Sequence, residues 1–140
     1  MTQPPFDLRT PVNFPGPPPS QAEVVVIGGG VIGVTTALFL ARAGRRVVLL
    51  EKGRIAAEQS SRNWGWIRAQ GRDPDEIPIV REAAGHWRDL ARQTNIDIGL
   101  VQGGVTYLAE TDADTERYDA WLSHATTYGL DSRMLSAAQT

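Results

Sequence analysis

The chain has 140 residues, of which 41% are hydrophobic and 21% charged, and its formal net charge at pH 7 is −2. This length and composition are typical of one globular domain, and the charge gives no sign of a surface for nucleic acid or an anionic membrane. The absence of cysteine excludes disulfides, thiolate nucleophiles and cysteine metal sites. We therefore expect small-molecule partners, no bound metal and a reducing, cytoplasmic location.

Proline dominates the N-terminal segment, where it occupies seven of the first 20 residues. Proline removes backbone donors and breaks helices, so neither a helix nor a signal peptide is expected here. Residues 1–20 are interpreted as an extended arm along the protein body or a partner, with a disordered leader as the alternative. No stretch of the sequence approaches the roughly 20 apolar residues of a membrane span, so none is predicted.

Two short apolar runs, joined through a glycine-rich turn and a helix, predict a nucleotide-binding βαβ unit. The predicted strands are Val24–Ile27 and Val47–Leu50. The Ala- and Leu-rich segment between them, residues 31–43, is the predicted helix. Its first N–H groups and the positive end of its dipole would face the phosphates of a nucleotide, so no lysine is needed to bind them.

Three glycines and one carboxylate give this unit its chemistry. Gly28 allows the sharp turn after the first strand, Gly30 leaves room for a pyrophosphate, and Gly33 lets the helix lie close to the sheet. Glu51 lies roughly 20 residues beyond the first glycine, the offset at which an acidic side chain binds an adenosine ribose. The carboxylate disfavours NADP, but FAD and NAD remain equivalent at this point, and a solvated strand end is the alternative for Glu51 and Lys52.

A polar and aromatic segment follows Glu51 where a plain NAD domain would have its next helix and strand. It offers hydroxyls, a planar cation and an amide at Ser60, Ser61, Arg62 and Asn63, a set suited to phosphate, with an arginine-containing surface loop as the alternative. Together with the glycine motif and Glu51-Lys52, the run from Ser60 to Arg68 resembles the FAD-dependent amine and amino-acid oxidoreductases. This is the superfamily of D-amino-acid oxidase, glycine oxidase and sarcosine oxidase, and the resemblance is to its N-terminal part.

The resemblance implies that FAD is the cofactor and that a carbon–nitrogen bond of a small amine or amino acid is oxidised by hydride transfer to the flavin. Arg68 is a candidate for a cation near the flavin face, with a structural arginine as its alternative. An NAD-linked dehydrogenase domain and a non-catalytic subunit with a dinucleotide fold are the alternative functions. The implied cofactor contacts are Gly28, Gly29, Gly30, Val31, Ile32, Gly33, Glu51, Lys52, Ser60, Ser61, Arg62 and Asn63.

The second half of the sequence alternates between helical and strand-like patterns. Apolar residues at spacings of three and four predict an amphipathic helix over residues 77–94. Ile98–Gln102 and Val105–Ala109 flank Gly103-Gly104 and predict a β-hairpin with a two-residue turn. Thr111 and Asp114 predict the capped start of a last helix that ends near Gly129.

These elements predict an α/β fold, a Rossmann-type βαβ FAD-binding unit followed by the start of an α+β substrate domain of helix, β-hairpin and helix. The predicted domains are the proline-rich arm at 1–20, the N-terminal part of the FAD-binding domain at 21–76 and an incomplete start of the substrate domain at 77–140. In the family that the chain resembles, the C-terminal portion completes the nucleotide sheet and the substrate pocket. We therefore expect this chain to be inactive alone and to need a missing C-terminal segment or a partner chain.

Overall fold

The structure is a computed structural model that describes residues 6–12, 14–94 and 97–139. It divides into two compact units, Met1–Gly65 and Trp66–Thr140. The predicted α/β fold class is confirmed, whereas the predicted domain boundary at residues 76 and 77 stays a prediction. The strands and helices are β1 Val24–Ile27, α1 Val31–Arg42, β2 Val47–Leu50, α2 Ile77–Thr94 and α3 Asp112–Thr127, with short 3-10 turns at Gln59–Ser61 and Pro74–Glu76.

The first unit is built around a two-stranded parallel sheet. β1 pairs with β2 from Val24 opposite Val47 to Ile27 opposite Leu50, and α1 is the crossover between them. Alternation along β1 leaves Val24 and Val26 half-buried on one face, while Val25 and Ile27 on the opposite face are 55% and 86% exposed. The carboxyl ends of both strands therefore lie at one edge, next to the start of α1.

The end of α1 follows from the residues placed there. The backbone N–H of Gly44 donates to the Ala41 carbonyl, and Gly44 has a φ of +78°, which glycine adopts without a steric penalty. Arg42 lies in the last turn of α1, where a cation interacts favourably with the negative end of the helix dipole. The chain is thereby turned back into β2 within a few residues.

The second unit contains α2 and α3. Ile77, the first residue of α2, is fully buried. The start of α3 has the predicted cap, because the Thr111 hydroxyl accepts from the Asp114 N–H and the Asp114 carboxylate accepts from the Thr111 N–H. Gly129, with a φ of +60°, follows its C-terminal end. None of the described helices is long and apolar enough to cross a membrane.

The predicted hairpin is wrong, because no strand is present between residues 97 and 109. A tight two-residue hairpin turn of the predicted kind needs a positive φ at its first central residue. Gly103 has no such φ, whereas Gly104 has +78° and Gly99, inside the first predicted strand, has +67°. An isolated two-stranded hairpin is also only marginally stable, and the described residues offer these segments no third strand.

Candidate functional site

The candidate site is the turn between β1 and α1, together with the loop that follows β2. Gly28 continues the ladder by donating to the Leu50 carbonyl at 2.8 Å, and its φ of +106° favours glycine strongly. A Cβ built on Gly33 would lie 1.9 Å from the carbonyl oxygen of Gly28. Gly33 therefore allows α1 to begin directly against the turn, and the backbone leaves no room for a side chain there.

Gly30 brings the loop after β2 into contact with the start of α1. Gly30 is the N-cap of α1 and has no side chain with which to cap it. Ser60 replaces that cap, because its Oγ accepts a hydrogen bond of 2.8 Å from the Val31 N–H. A Cβ on Gly30 would lie 3.1 Å from the same Oγ. The absence of a side chain at Gly30 thus lets the Ser60 hydroxyl approach the start of α1.

The Glu51 carboxylate binds the backbone on both sides of the site. Its Oε2 accepts from the Gly29 N–H at 2.6 Å and its Oε1 accepts from the Gly53 N–H at 2.7 Å. These two bonds, the one from Gly29 foremost, hold the pKa of Glu51 below its usual range against the opposing effect of burial. A carboxylate has about four lone-pair positions, so the ionised group keeps acceptor capacity for ribose hydroxyls.

The loop after Glu51 is organised by its own polar groups. The Ala56 N–H donates to the Gly29 carbonyl at 2.9 Å, and the Ser61 hydroxyl donates to the Ala56 carbonyl at 2.6 Å. Asn63 donates to the Ser60 carbonyl at 2.9 Å and accepts from the Gly65 N–H at 2.7 Å. Ser61 and Asn63, predicted as cofactor contacts, are therefore occupied in holding the loop that carries Ser60.

The three cationic side chains predicted at the site, Lys52, Arg62 and Arg68, have different surroundings. Lys52 forms an exposed ion pair with Glu58 at 3.2 Å. Arg62 is exposed, and no carboxylate in the described ranges forms an ion pair with it. Arg68 belongs to the second unit, where its guanidinium donates to the Gln70 carbonyl and lies 5.9 Å from the centre of the Tyr107 ring. These contacts are those of an arginine that supports the local structure, which is the alternative given above for Arg68.

The geometry fits the diphosphate of a dinucleotide. The N–H groups of Ile32 and Gly33 lie in the first turn of α1, where a helix has no carbonyl to accept them. No acidic residue lies in that turn, so nothing within it opposes an anion at the positive end of the dipole. The Glu51 carboxylate is bonded to the Gly29 N–H, two residues before α1 begins. It therefore lies close to the start of the helix, which is the placement that ribose recognition needs.

A family comparison decides between the dinucleotides. The sequence model of the DAO family, FAD dependent oxidoreductase, matches residues 23–140. The chain belongs to this family. The resemblance inferred from the motifs and the prediction of FAD are therefore confirmed, and the alternative of an NAD-linked domain has no support.

Individual relatives agree with this assignment. The chain is 33% identical over 128 residues to mitochondrial sarcosine dehydrogenase of Mus musculus, covering 89% of this chain and 14% of that protein. It is 29% identical over 119 residues to the mitochondrial pyruvate dehydrogenase phosphatase regulatory subunit of Mus musculus, covering 84% and 14%. The solved L-amino acid deaminase from Proteus vulgaris matches with a TM-score of 0.76 and 28% identity, covering 86% of this chain and 29% of that one. The chain thus spans a minor part of the length of each.

Several residues of the site were not indicated by the sequence motifs. Gly53 and Ala56 contribute backbone N–H groups, to Glu51 and to Gly29 respectively. Ile55 covers Gly29, since a Cβ built there would lie 2.5 Å from Ile55 Cδ1. Ala56 also has a φ of +59°, which is rare for a residue other than glycine. The adjacent small residues Ala56 and Ala57 were the signal in the sequence for this contact, because a loop that packs against a glycine turn needs small side chains for its backbone to come close.

Proposed function

We propose that this chain supplies the adenosine- and pyrophosphate-binding part of an FAD-dependent oxidoreductase that oxidises a carbon–nitrogen bond of an amine or amino acid. The observation that carries the proposal is the joint placement of Glu51 and the start of α1 on either side of Gly29. Family membership supports FAD, and the names of sarcosine dehydrogenase and L-amino acid deaminase support the substrate class.

In the proposed complex, the residues of the first unit bind and orient the cofactor. Gly28 and Gly33 hold α1 close to the turn, so that the N–H groups of Ile32 and Gly33 donate to the pyrophosphate. Glu51 remains ionised and accepts from the ribose hydroxyls, and Arg62, two residues after Ser60 in the same loop, adds an exposed positive charge. When bound, FAD supplies the oxidising power by accepting a hydride from the substrate carbon, and the resulting imine is hydrolysed by water.

The experiment uses the complete product of the gene. We expect the purified protein to hold FAD, and we expect the flavin absorbance to fall on anaerobic mixing with its amino-acid or N-methyl amino-acid substrate. A substrate deuterated at the reacting carbon should reduce the flavin more slowly, as hydride transfer requires. An analogue with no hydrogen on that carbon is the matched control and should leave the absorbance unchanged. Purification with a bound nicotinamide and no flavin would refute the proposal.

A non-catalytic role is the second candidate, and one observation favours it. The relative titled as a phosphatase regulatory subunit aligns over 84% of this chain, so a segment similar in sequence to this chain occurs in a protein named for regulation. Under this candidate the protein would bind FAD, yet no amine or amino acid would reduce it. Flavin that stays oxidised with every amine tested, in a protein that copurifies with a second chain, would favour this role over catalysis.

A further inference from the structure

We propose that a turn in the proline-rich arm, residues 7–10, is a positioning element of the dinucleotide site, acting through Arg54 and Gly53 on the Glu51 carboxylate. This inference rests on the proposed binding of FAD by the first unit. The arm lies outside residues 23–140, the part of the chain that the family model matches. Its contribution would therefore be a feature of this chain added to the common site.

The turn has an internal structure of its own. The Thr10 N–H donates to the Asp7 carbonyl at 3.0 Å, and the Asp7 N–H donates to Thr10 Oγ1 at 3.1 Å. The Arg9 N–H donates to Asp7 Oδ1 at 2.7 Å. This pattern of backbone and side-chain bonds defines a local turn at residues 7–10.

The turn is joined to the loop after β2 by one guanidinium. Arg54 Nε donates to the Thr10 carbonyl at 2.6 Å, and Arg54 Nη1 donates to the Gly53 carbonyl at 2.9 Å. Leu8 covers the same glycine, because a Cβ built on Gly53 would lie 3.3 Å from Leu8 Cδ2. Arginine suits this position, since its planar fork reaches two carbonyl groups at once, which a lysine ammonium does less well.

Gly53 connects the turn to the cofactor site. Its N–H donates to Glu51 Oε1, while Oε2 of the same carboxylate accepts from Gly29. Arg54 holds the carbonyl side of Gly53 and Leu8 lies over its Cα, which together limit the movement of the residue whose N–H holds the carboxylate that faces the ribose. Three hydrogen bonds thus link the turn to the carboxylate: Arg54 to the Thr10 carbonyl, Arg54 to the Gly53 carbonyl, and the Gly53 N–H to Glu51.

Hydrogen exchange tests the contact without any ligand. In the complete gene product, Arg54→Met and a chain shortened to begin at Val12 should both exchange the Gly53 amide about fivefold faster, the effect of losing one hydrogen bond of ordinary strength. Arg54→Lys keeps the charge and should give an intermediate rate. Phe14→Ala is the matched control in the arm, since Phe14 is 88% exposed, and it should not change the rate. Equal rates in the wild type, Arg54→Met and the shortened chain would overturn the proposal.

Titration with FAD tests the link to the site. Arg54→Met should weaken FAD binding about fivefold, and this effect should disappear in a Glu51→Gln background, because the guanidinium acts through that carboxylate. A general loss of folding would instead weaken binding equally in both backgrounds. Faster exchange with unchanged FAD affinity would overturn the positioning role. A wild type that does not bind FAD would refute the proposed function, while the exchange rates would still decide whether the arm holds Gly53.

Discussion

Substitution of Gly33 by alanine adds one methyl group at the most crowded position of the site. The new Cβ would lie 1.9 Å from the Gly28 carbonyl oxygen, and real Cβ contacts essentially never fall below 3.0 Å. The start of α1 must therefore move away from the turn by about 1 Å, because a backbone atom cannot rotate aside as a side chain does. Overpacking of this kind costs about 1–3 kcal/mol of unfolding free energy, and we expect the upper end.

The same displacement moves the N–H groups of Ile32 and Gly33 away from the pyrophosphate, so FAD affinity should fall by at least about tenfold. Urea unfolding of the apoprotein and fluorescence titration with FAD measure the two effects. Gly16→Ala is the matched control, because a Cβ there meets nothing within 4 Å. If Gly33→Ala unfolds and binds FAD as Gly16→Ala does, the argument from the close contact of α1 and the turn is refuted.

Three further predictions concern single hydrogen bonds and one helix. Glu51→Gln points an amide N–H at a backbone N–H, so the free energy of unfolding, measured by urea titration at pH 7, should fall by about 1.5–3 kcal/mol. Since the fold lowers the pKa of Glu51, chiefly through the Gly29 N–H, this stabilisation is present above the usual glutamate pKa and is lost as the pH falls through the lowered one. A wild-type advantage that stays constant from pH 7 to about pH 3 would contradict this. In α2, a Cβ on Gly85 would have its nearest neighbouring atom at 3.9 Å, so Gly85→Ala fits without a clash. Because alanine favours a helix over glycine by about 1 kcal/mol, the substitution should raise the melting temperature, and a lower one would contradict this. Thr111→Ala removes the cap of α3 and should lower the stability by about 1 kcal/mol, which thermal melting would show as a lower melting temperature. An unchanged melting temperature would contradict this prediction.

The elements that the sequence predicts accurately are those with strong local signals. β1 and β2 have the predicted bounds because each is a short apolar run next to turn residues or charge. α2 spans the predicted residues, and α3 starts at the predicted Thr111 cap, because periodicity and capping act within a few residues. The hairpin failed since strand pairing depends on partners that lie outside the segment itself.

The contacts of the site were beyond the reach of local patterns. Ser60 lies 29 residues from Val31, and both were predicted to contact the cofactor, yet their bond to each other was not. Glu51 was predicted as a ribose ligand, and its two bonds to backbone N–H groups give it a structural task as well. Such pairings depend on how the loop after β2 returns to the turn, which no periodicity encodes. The cofactor roles of the individual residues and the cytoplasmic location stay predictions.

Gly29 is held on both sides of its Cα, its N–H by the Glu51 carboxylate and its carbonyl by the Ala56 N–H. These two groups belong to consecutive peptide units, so a flip of either unit would break one of the two bonds, and together the bonds favour the observed orientation of the turn before any cofactor binds. Ala56, which donates the second bond, has a left-handed φ of +59°, a conformation that costs a residue other than glycine about 1–2 kcal/mol. A preorganised receptor spends little entropy on ordering when the ligand binds. Capture of the diphosphate should therefore proceed at an encounter-limited rate, without a slow rearrangement of the turn.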